Sequence, residues 1–137
     1  MAHQGFFQVQ TRGRGMTDIT DRVVEIVRQG GAVTGLAHVF VKHTSCSLLI
    51  TENADPAVRQ DLETLARRWA PDGDPAYRHD LEGDDDMAAH ARSVLTASFV
   101  TVPVARGQLL LGTWQGIYLW EHRSRGHARD LVVTLLG

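Results

Sequence analysis

The stretch "YRHDLEGDDDMAAH", residues 77–90, contains two histidines, four aspartates and one glutamate within fourteen residues. Imidazole nitrogens and carboxylate oxygens are the groups that bind divalent metal ions and that move protons in active sites. An acidic run of this kind is also typical of a solvated loop. The segment by itself therefore leaves a chemical site and a plain surface loop both open.

Three histidines fall on three separate predicted elements, which is how metal and catalytic sites are commonly assembled. His43 ends a predicted strand, His79 lies in the acidic loop, and His90 lies on a short predicted helix. Nearby carboxylates at 80, 82 and 84–86 could orient the imidazole rings. A metal site formed by His43, His79 and His90 is one hypothesis; ordinary histidines of the core or the surface are the other, and the residue pattern by itself favours the second.

The segment "HTSCSLLITENADP" places Thr44 and Ser45 directly after His43. A hydroxyl nucleophile with its base is conceivable, but successive strand residues point to opposite faces, which separates His43 from Thr44. A turn in which these hydroxyls bond the local backbone is the favoured interpretation. Asn53, just before the next helix, either binds a ligand or completes a turn.

The segment "LGTWQGIYLWEH" combines aromatic residues with two glycines in a strand pattern. Alternation puts Trp114, Tyr118 and Trp120 on one face, with Thr113 and Gln115 on the other. Such an aromatic stripe is typical of a core or of a subunit interface. We expect a partner subunit to cover it, because an open aromatic sheet face promotes aggregation.

The elements that must position these residues are mostly strands. The second predicted helix is the clearest, with Asp55 as N-cap and Pro56 as its first residue, and another begins at Asp85 or Asp86. The long stretch between them, Pro71 to Asp86, predicts a functional loop. The predicted strands are "GFFQVQTRG", "GLAHVFVKHTS", "SLLITEN", "SFVTVPVA", "LLLGTWQGIYLWEHR" and "RDLVVTLL", and the first helix is "DITDRVVEIVRQGG", capped by Asp18 or Thr20.

Composition limits the class of protein. The 137 residues predict one domain over residues 1–137, and the single cysteine, Cys46, excludes a disulfide framework. No stretch is apolar enough to span a bilayer and no signal-peptide pattern opens the chain, so we expect a cytoplasmic protein. A net charge of −2 argues against a nucleic-acid or anionic-membrane partner.

Three segments together resemble the YjbQ family, also called UPF0047 and described as secondary thiamine-phosphate synthase enzymes. They are "HTSCSLLITENADPAVRQDLE", "YRHDLEGDDDMAAH" and "LLLGTWQGIYLWEHR" with "DLVVTLLG". The resemblance runs from about residue 5 to the C-terminus. It implies an α+β, β-rich fold, a jelly-roll-like β-sandwich with two to three flanking helices, that assembles as a homotrimer.

The resemblance also implies a histidine-lined site that holds a divalent metal, zinc or magnesium, or an anion. The family motifs fall on these positions: His43, Thr44, Ser45, Asn53, His79, Glu82, Gly83, Asp86, His90, Thr113, Trp114 and Gln115. On this basis His79, Glu82 and His90 are expected to be catalytic, and the ligand-binding set is Thr44, Ser45, Asn53, Asp86, Thr113 and Gln115. Cys46 and Ala88 depart from the family pattern, and Ala88 leaves the start of the short helix uncertain.

The implied activity is a weak or secondary thiamine phosphate synthase reaction, which joins a pyrimidine methyl diphosphate to a thiazole phosphate. Two alternatives remain open. One is a metal-dependent hydrolase of a small phosphorylated or acylated metabolite, with Glu82 or Asp86 as general base. The other is a ligand-binding trimer without turnover.

Overall fold

The structure is a computed structural model that describes residues 2–137. The strands are β1 Ala2–Gln10, β2 Gly15–Asp18, β3 Gly35–Val41, β4 Cys46–Glu52, β5 Phe99–Ala105, β6 Gln108–Leu109, β7 Gln115–Glu121 and β8 Ala128–Leu136. The helices are α1 Thr20–Gly30, α2 Pro56–Trp69 and α3 Asp86–Leu95.

The strands form two sheets that pack around one apolar core. The larger sheet has five strands in the order β1-β8-β3-β5-β6, and the smaller has three in the order β2-β7-β4. Val39 and Val133 from the larger sheet, Leu48 and Leu119 from the smaller, and Val23 of α1 belong to the same buried cluster. The predicted β-rich α+β sandwich with flanking helices is therefore confirmed.

The helix ends follow from local hydrogen bonding. Asp55 caps α2 as predicted, because its side chain accepts a hydrogen bond from the Ala57 N–H at 2.9 Å. The predicted cap of α1 is wrong by one residue: Ile19 occupies the N-cap position, and Asp18 accepts from the Thr20 N–H from outside the helix. The helix α3 begins at Asp86, within the predicted range, with Ala88 fully buried in its first turn.

The predicted aromatic interface on β7 is wrong. Tyr118 and Trp120 are only 3% and 2% exposed, because α2 of the same chain lies over them. The Arg59 guanidinium stacks 5.2 Å from the Tyr118 ring, and the Trp120 indole N–H donates to Glu63 at 3.1 Å. Trp114 does not share this burial, since it lies before the strand and is 64% exposed.

The predicted single late strand is divided in two. Residues 110–114 form a connection between β6 and β7, in which the Gln115 side chain accepts from the Gly112 N–H at 2.8 Å. A glycine is needed at position 116, because a Cβ there would lie 2.9 Å from the Tyr118 ring. The short strands β2 and β6 carry no alternation long enough to be recognised in the sequence.

A buried ion pair joins the ends of β7 and β8. Glu121 is 1% exposed and Arg129 is 4% exposed, and the Arg129 Nε–H donates to Glu121 at 2.8 Å. Thr11 also donates to Glu121, at 2.6 Å. Burial opposes ionisation, but these hydrogen bonds outweigh it and hold the pKa of Glu121 below its usual value.

Among residues 2–137, no helix combines the length and the apolar character that crossing a membrane requires.

Replacing Arg129 by Met should leave the Glu121 carboxylate buried without its cation and lower the free energy of unfolding by about 3 kcal/mol. Urea unfolding measures this change. Arg28→Met is the matched control, because Arg28 makes an exposed ion pair with Glu25 and its loss should cost under about 0.5 kcal/mol. Equal effects of the two substitutions would contradict a special role for the buried pair.

The same pair predicts a pH dependence. Because the folded-state pKa of Glu121 is lowered from 4.5, its ionisation contributes stability above about pH 4.5, and that stability is lost as the pH falls through the folded-state pKa. The gap in unfolding free energy between wild type and Arg129→Met should therefore narrow on acidification. A gap that stays constant from pH 7 to about pH 3 would contradict this assignment.

Candidate metal and ligand site

Three side chains of the acidic segment converge on one point. The Nε2 atoms of His79 and His90 lie 2.6 Å and 3.2 Å from the same carboxylate oxygen, Oδ2 of Asp86. One ligand atom from each of the three residues fits within 4.8 Å of the others. Two imidazoles and a carboxylate form a donor set that suits zinc and related divalent ions.

The local sequence explains this convergence. Asp86 and His90 are four residues apart on α3, so their side chains lie on the same side of the helix. His79 belongs to the loop before the helix, which folds back on itself: the Gly73 N–H donates to the Asp84 carbonyl at 2.9 Å, and the Tyr77 hydroxyl to the Pro71 carbonyl at 2.7 Å. The predicted functional loop is thus held in an ordered shape.

The hydrogen bonding of His90 sets which of its ring nitrogens faces Asp86. The Nδ1 atom of His90 lies 3.1 Å from the carbonyl oxygen of Thr44, which can only accept, so Nδ1 carries a hydrogen. In a neutral ring Nε2 then presents its lone pair to Asp86. Two electron-rich atoms at 3.2 Å repel unless a proton or a metal ion lies between them.

Arg123 fixes the other side of the carboxylate. Its Nη1 lies 2.9 Å from Asp86 Oδ1, its Nε donates to Asp85 at 2.9 Å, and its Nη2 donates to the Glu82 carbonyl at 2.9 Å. Burial opposes ionisation of Asp86, but the hydrogen bond with His79 and the charge of Arg123 help to hold its pKa below the usual value. Asp86 is therefore ionised at neutral pH, with one oxygen directed at the histidines.

Asp85 and Glu82 flank the group without joining it. The Asp85 carboxylate accepts from Arg123 and Ser124, which hold its pKa well below the usual value against burial, so it anchors the loop. Glu82 is more exposed, and its carboxylate lies 3.8 Å from His79 Nε2. That distance leaves Glu82 able to reach a molecule bound at the histidines.

His43 does not lie with His79 and His90. The third member of the observed group is Asp86, whereas the sequence analysis named His43. The Nε2 of His43 accepts from the Asp130 N–H at 2.8 Å, and its Nδ1 lies 3.4 Å from Arg129. Burial and the Arg129 charge lower the pKa of His43, so the ring is neutral. Its accepting lone pair is already used, which leaves none for a metal.

The predicted hydroxyl residues, Thr44 and Ser45, contact residues that are distant in the sequence. Thr44 contributes its carbonyl to His90, and the Ser45 hydroxyl accepts from Arg129 at 3.0 Å. Cys46 is buried, and burial raises the pKa of its thiol to about 12, so it is not an activated nucleophile. These contacts are not the local hydroxyl-to-backbone bonds of the turn that the sequence favoured, and they provide no base that would activate a hydroxyl for acyl transfer.

Three predicted ligand-binding residues lie at the opposite end of the β4–β7 pair. The Asn53 amide donates to the Thr113 carbonyl at 3.2 Å, and Gln115 pairs with Glu52 at that end of the ladder. Cys46, near the histidines, is seven residues away along β4, roughly 20 Å. The structure thus does not bring Asn53, Thr113 and Gln115 to the group formed by His79, Asp86 and His90.

An open cleft of about 700 Å³ adjoins His90. It is lined by His43, Thr44, His90, Ser93, Val94, Thr96, Ala97, Ser98 and Phe99. Its lining is hydroxyl-bearing and apolar, with no lysine, arginine or carboxylate among these residues. His43 thus returns to the candidate site as a wall of the cleft rather than as a ligand.

Arg123 is the functional residue that sequence reasoning missed. It follows β7 in the segment "EHRSRG" and is separated from Asp85 by 38 positions, so no spacing rule joins them. The one hint in the sequence was the run of three aspartates at 84–86, whose negative charge needs basic side chains from elsewhere in the chain.

A family model described as UPF0047 protein YjbQ-like matches residues 6–137. A UPF0047 protein of Synechocystis is 44% identical over 135 residues, covering 98% of this chain and 92% of that protein. The UPF0047 protein YjbQ of Escherichia coli O157:H7 is 39% identical, covering 100% and 99%. A crystal structure of a YjbQ/UPF0047 protein from Clostridium acetobutylicum has a TM-score of 0.89 and 32% identity, covering 96% and 99%.

Metal affinity distinguishes the group seen here from the one expected from sequence. His79→Ala and His90→Ala should each weaken binding of zinc or cobalt by about 100-fold, since each removes a ligand atom. His43→Ala is the matched control and should leave the affinity unchanged. Isothermal titration calorimetry of tag-free protein measures the metal affinity of all three variants. A loss of affinity in His43→Ala equal to that in the other two would support His43, His79 and His90 as the ligands.

Proposed function

Because the chain belongs to the YjbQ-like UPF0047 family, we propose that it binds a divalent metal ion at His79, Asp86 and His90 and acts there on a small phosphorylated metabolite. One observation carries this proposal: two imidazole nitrogens approach one carboxylate oxygen, and the tautomer of His90 directs a lone pair at it. A proton on Nε2 or a metal ion removes that repulsion, and the proposal is that a metal ion does so. A divalent ion would also neutralise a bound phosphate or diphosphate.

Arg123 and the cleft beside His90 have separate roles in the proposed site. Arg123 holds Asp86 and the loop, so the three ligands keep their positions when the substrate binds. The cleft beside His90 offers Phe99 and Val94 as apolar walls and hydroxyls at its rim. It suits an uncharged, flat part of a substrate whose charged end reaches the ligands.

We propose thiamine phosphate synthesis, as a weak or secondary activity, as the reaction class to test first. The bond between the pyrimidine methylene carbon and the diphosphate oxygen breaks, and its electron pair leaves with pyrophosphate. The thiazole nitrogen supplies the electron pair of the new carbon–nitrogen bond. The chain's contribution is to hold the diphosphate at His79, Asp86 and His90 and to shield the cation-like carbon in the cleft.

A hydrolase is the second candidate, and the position of Glu82 favours it. Its exposed carboxylate, 3.8 Å from His79, could take a proton from an attacking water. The transfer reaction has no such requirement, because the attacking thiazole nitrogen carries no proton. The two reactions therefore differ in their dependence on this carboxylate.

We also propose the homotrimer that the family resemblance implies. Its interface must lie elsewhere than on the aromatic face of β7, since α2 already covers Tyr118 and Trp120.

His79→Ala and His90→Ala should abolish pyrophosphate release from the two thiamine precursors, and a chelator should abolish it in the wild type. His127→Ala is the control, a half-buried histidine outside the group that bonds the Arg125 carbonyl. A coupled pyrophosphate assay measures the rate. Ligand-induced thermal stabilisation without any turnover would instead favour a binding protein.

Glu82→Gln separates the two enzymatic candidates. It keeps the size of the side chain and removes its basicity, so transfer should change by less than about threefold, whereas hydrolysis should fall at least 100-fold. Phosphate release from a panel of phosphomonoesters serves as the hydrolase assay. Loss of transfer activity on this substitution would contradict the transferase assignment of the site.

A further inference from the structure

A groove with three arginines lies between α2 and β2. Its volume is about 420 Å³, which falls within the roughly 300–1,000 Å³ of small-molecule sites. We call it the arginine groove; it is lined by Arg14, Gly15, Met16, Pro56, Arg59, Gln60, Glu63, Thr64 and Arg67. None of the candidate metal ligands lines it, and it shares no residue with the cleft beside His90. The groove is therefore separate from the site described above.

The one carboxylate of the groove is already neutralised from behind. Arg92 Nη1 donates to Glu63 Oε2 at 2.8 Å, and the Trp120 indole N–H donates to Oε1 at 3.1 Å. Arg14 is also balanced, because its Nη1 and Nη2 donate to Asp72 at 2.6 Å and 2.5 Å. Glu63 therefore cannot cancel the charge of the two remaining arginines.

Arg59 and Arg67 keep their charge and their hydrogen-bonding capacity. Within residues 2–137, Arg59 makes no ion pair, and Arg67 makes only a 3.6 Å contact with Glu63. Arg59 is held in place, since its guanidinium stacks on the Tyr118 ring and its Nη1 donates to the Glu52 carbonyl at 3.3 Å. Its Nε and Nη2 remain available to a ligand. A cation fixed in this way loses little conformational entropy when it binds an anion.

Directly behind Glu63, buried hydrogen-bond donors also exceed the acceptors. The Arg92 side chain is 2% exposed, and its Nε and Nη2 have no hydrogen-bond partner among residues 2–137. Such unpartnered buried groups are rare in folded proteins. Together with the two arginines of the groove, Arg92 makes this part of the molecule rich in N–H groups and positive charge. A ligand with several acceptor oxygens and a negative charge matches that excess.

We propose that the arginine groove is a second ligand site, which binds the phosphate of a small phosphorylated molecule through Arg59 and Arg67. A phosphate monoester carries about −1.5 to −2 charge at pH 7 and has three acceptor oxygens. It therefore suits two guanidinium groups better than a carboxylate with a single charge does. Met16 and Pro56 add apolar wall beside the arginines, so the occupant is an organic phosphate rather than the bare ion.

Isothermal titration calorimetry of the full chain with ribose 5-phosphate tests the site. Arg59→Gln and Arg67→Gln should each weaken binding by at least about tenfold, because each removes a charged fork from the phosphate. Arg68→Gln is the matched control and should leave the affinity unchanged, since this exposed arginine follows Arg67 on α2 but does not line the groove. Equal losses in Arg67→Gln and Arg68→Gln would overturn the site, as would no saturable binding to the wild type at about 10 mM ligand.

Thr64→Glu tests the location without removing an arginine. Thr64 is exposed on α2, and a glutamate there lies three residues before Arg67, within reach of its guanidinium, so the helix should remain intact. The new carboxylate should abolish binding by repelling the phosphate. Circular dichroism verifies that each variant is folded, and undiminished binding in folded Thr64→Glu would place the ligand elsewhere and overturn the proposal.

EDTA and inorganic phosphate separate this proposal from the preceding one. EDTA should leave the affinity for ribose 5-phosphate unchanged, because no proposed metal ligand lines the groove. Loss of binding with EDTA would place the phosphate at His79, Asp86 and His90, which would overturn the arginine groove and support the proposed function. Inorganic phosphate should bind at least about tenfold more weakly than ribose 5-phosphate, since it cannot contact Met16 and Pro56. Equal affinities would show an adventitious ion only.

Discussion

The arrangement of the candidate site depends on the carboxylate of Asp86. One oxygen faces two imidazoles and the other faces Arg123, and the side chain is 2% exposed. A buried carboxylate is costly unless several partners share its charge. Asp86 therefore ties together the loop that carries His79, the helix that carries His90 and the segment after β7 that carries Arg123. The loop order and the ligand geometry follow from satisfying this one group.

The scaffold uses a second buried carboxylate in the same way. Glu121 is bonded by Arg129, Thr11 and the Arg123 N–H, so it joins β7 to β8 and to the end of β1. Arg123 thus receives its position from Glu121 through its backbone while it holds Asp86 through its side chain. Arg129 in turn approaches His43 and Ser45, which places the start of β4 next to the site. The two carboxylates form a connected support for the cleft.

The sequence predicted the elements whose signals are local, and it failed where contacts are distant. Asp55 before Pro56 identified the start of α2, and alternation identified the strands of the core. The grouping of His79 with His90 came from a family resemblance, and the structure agrees with it because both lie within one short segment. His43 was assigned as a ligand because the three histidines fall on separate elements and on positions of the family motifs. Its partner, the Asp130 N–H, is 87 positions away, and no pattern reveals that the lone pair is occupied.

The aromatic residues were the other source of error, and the reason is physical. Alternation gives the face of a strand but not what covers that face, so Tyr118 and Trp120 on β7 were indistinguishable from Phe6, Phe40 and Phe99 on the larger sheet. The structure separates them, because α2 lies against the smaller sheet while α1 packs into the core with Val23 and Ile26. The third helix, α3, lies against β4 of the smaller sheet, so none of the three helices covers the side of the larger sheet on which Phe6, Phe40 and Phe99 are exposed. Phe99 belongs both to that exposed side and to the cleft, so β5 also shapes the space beside His90.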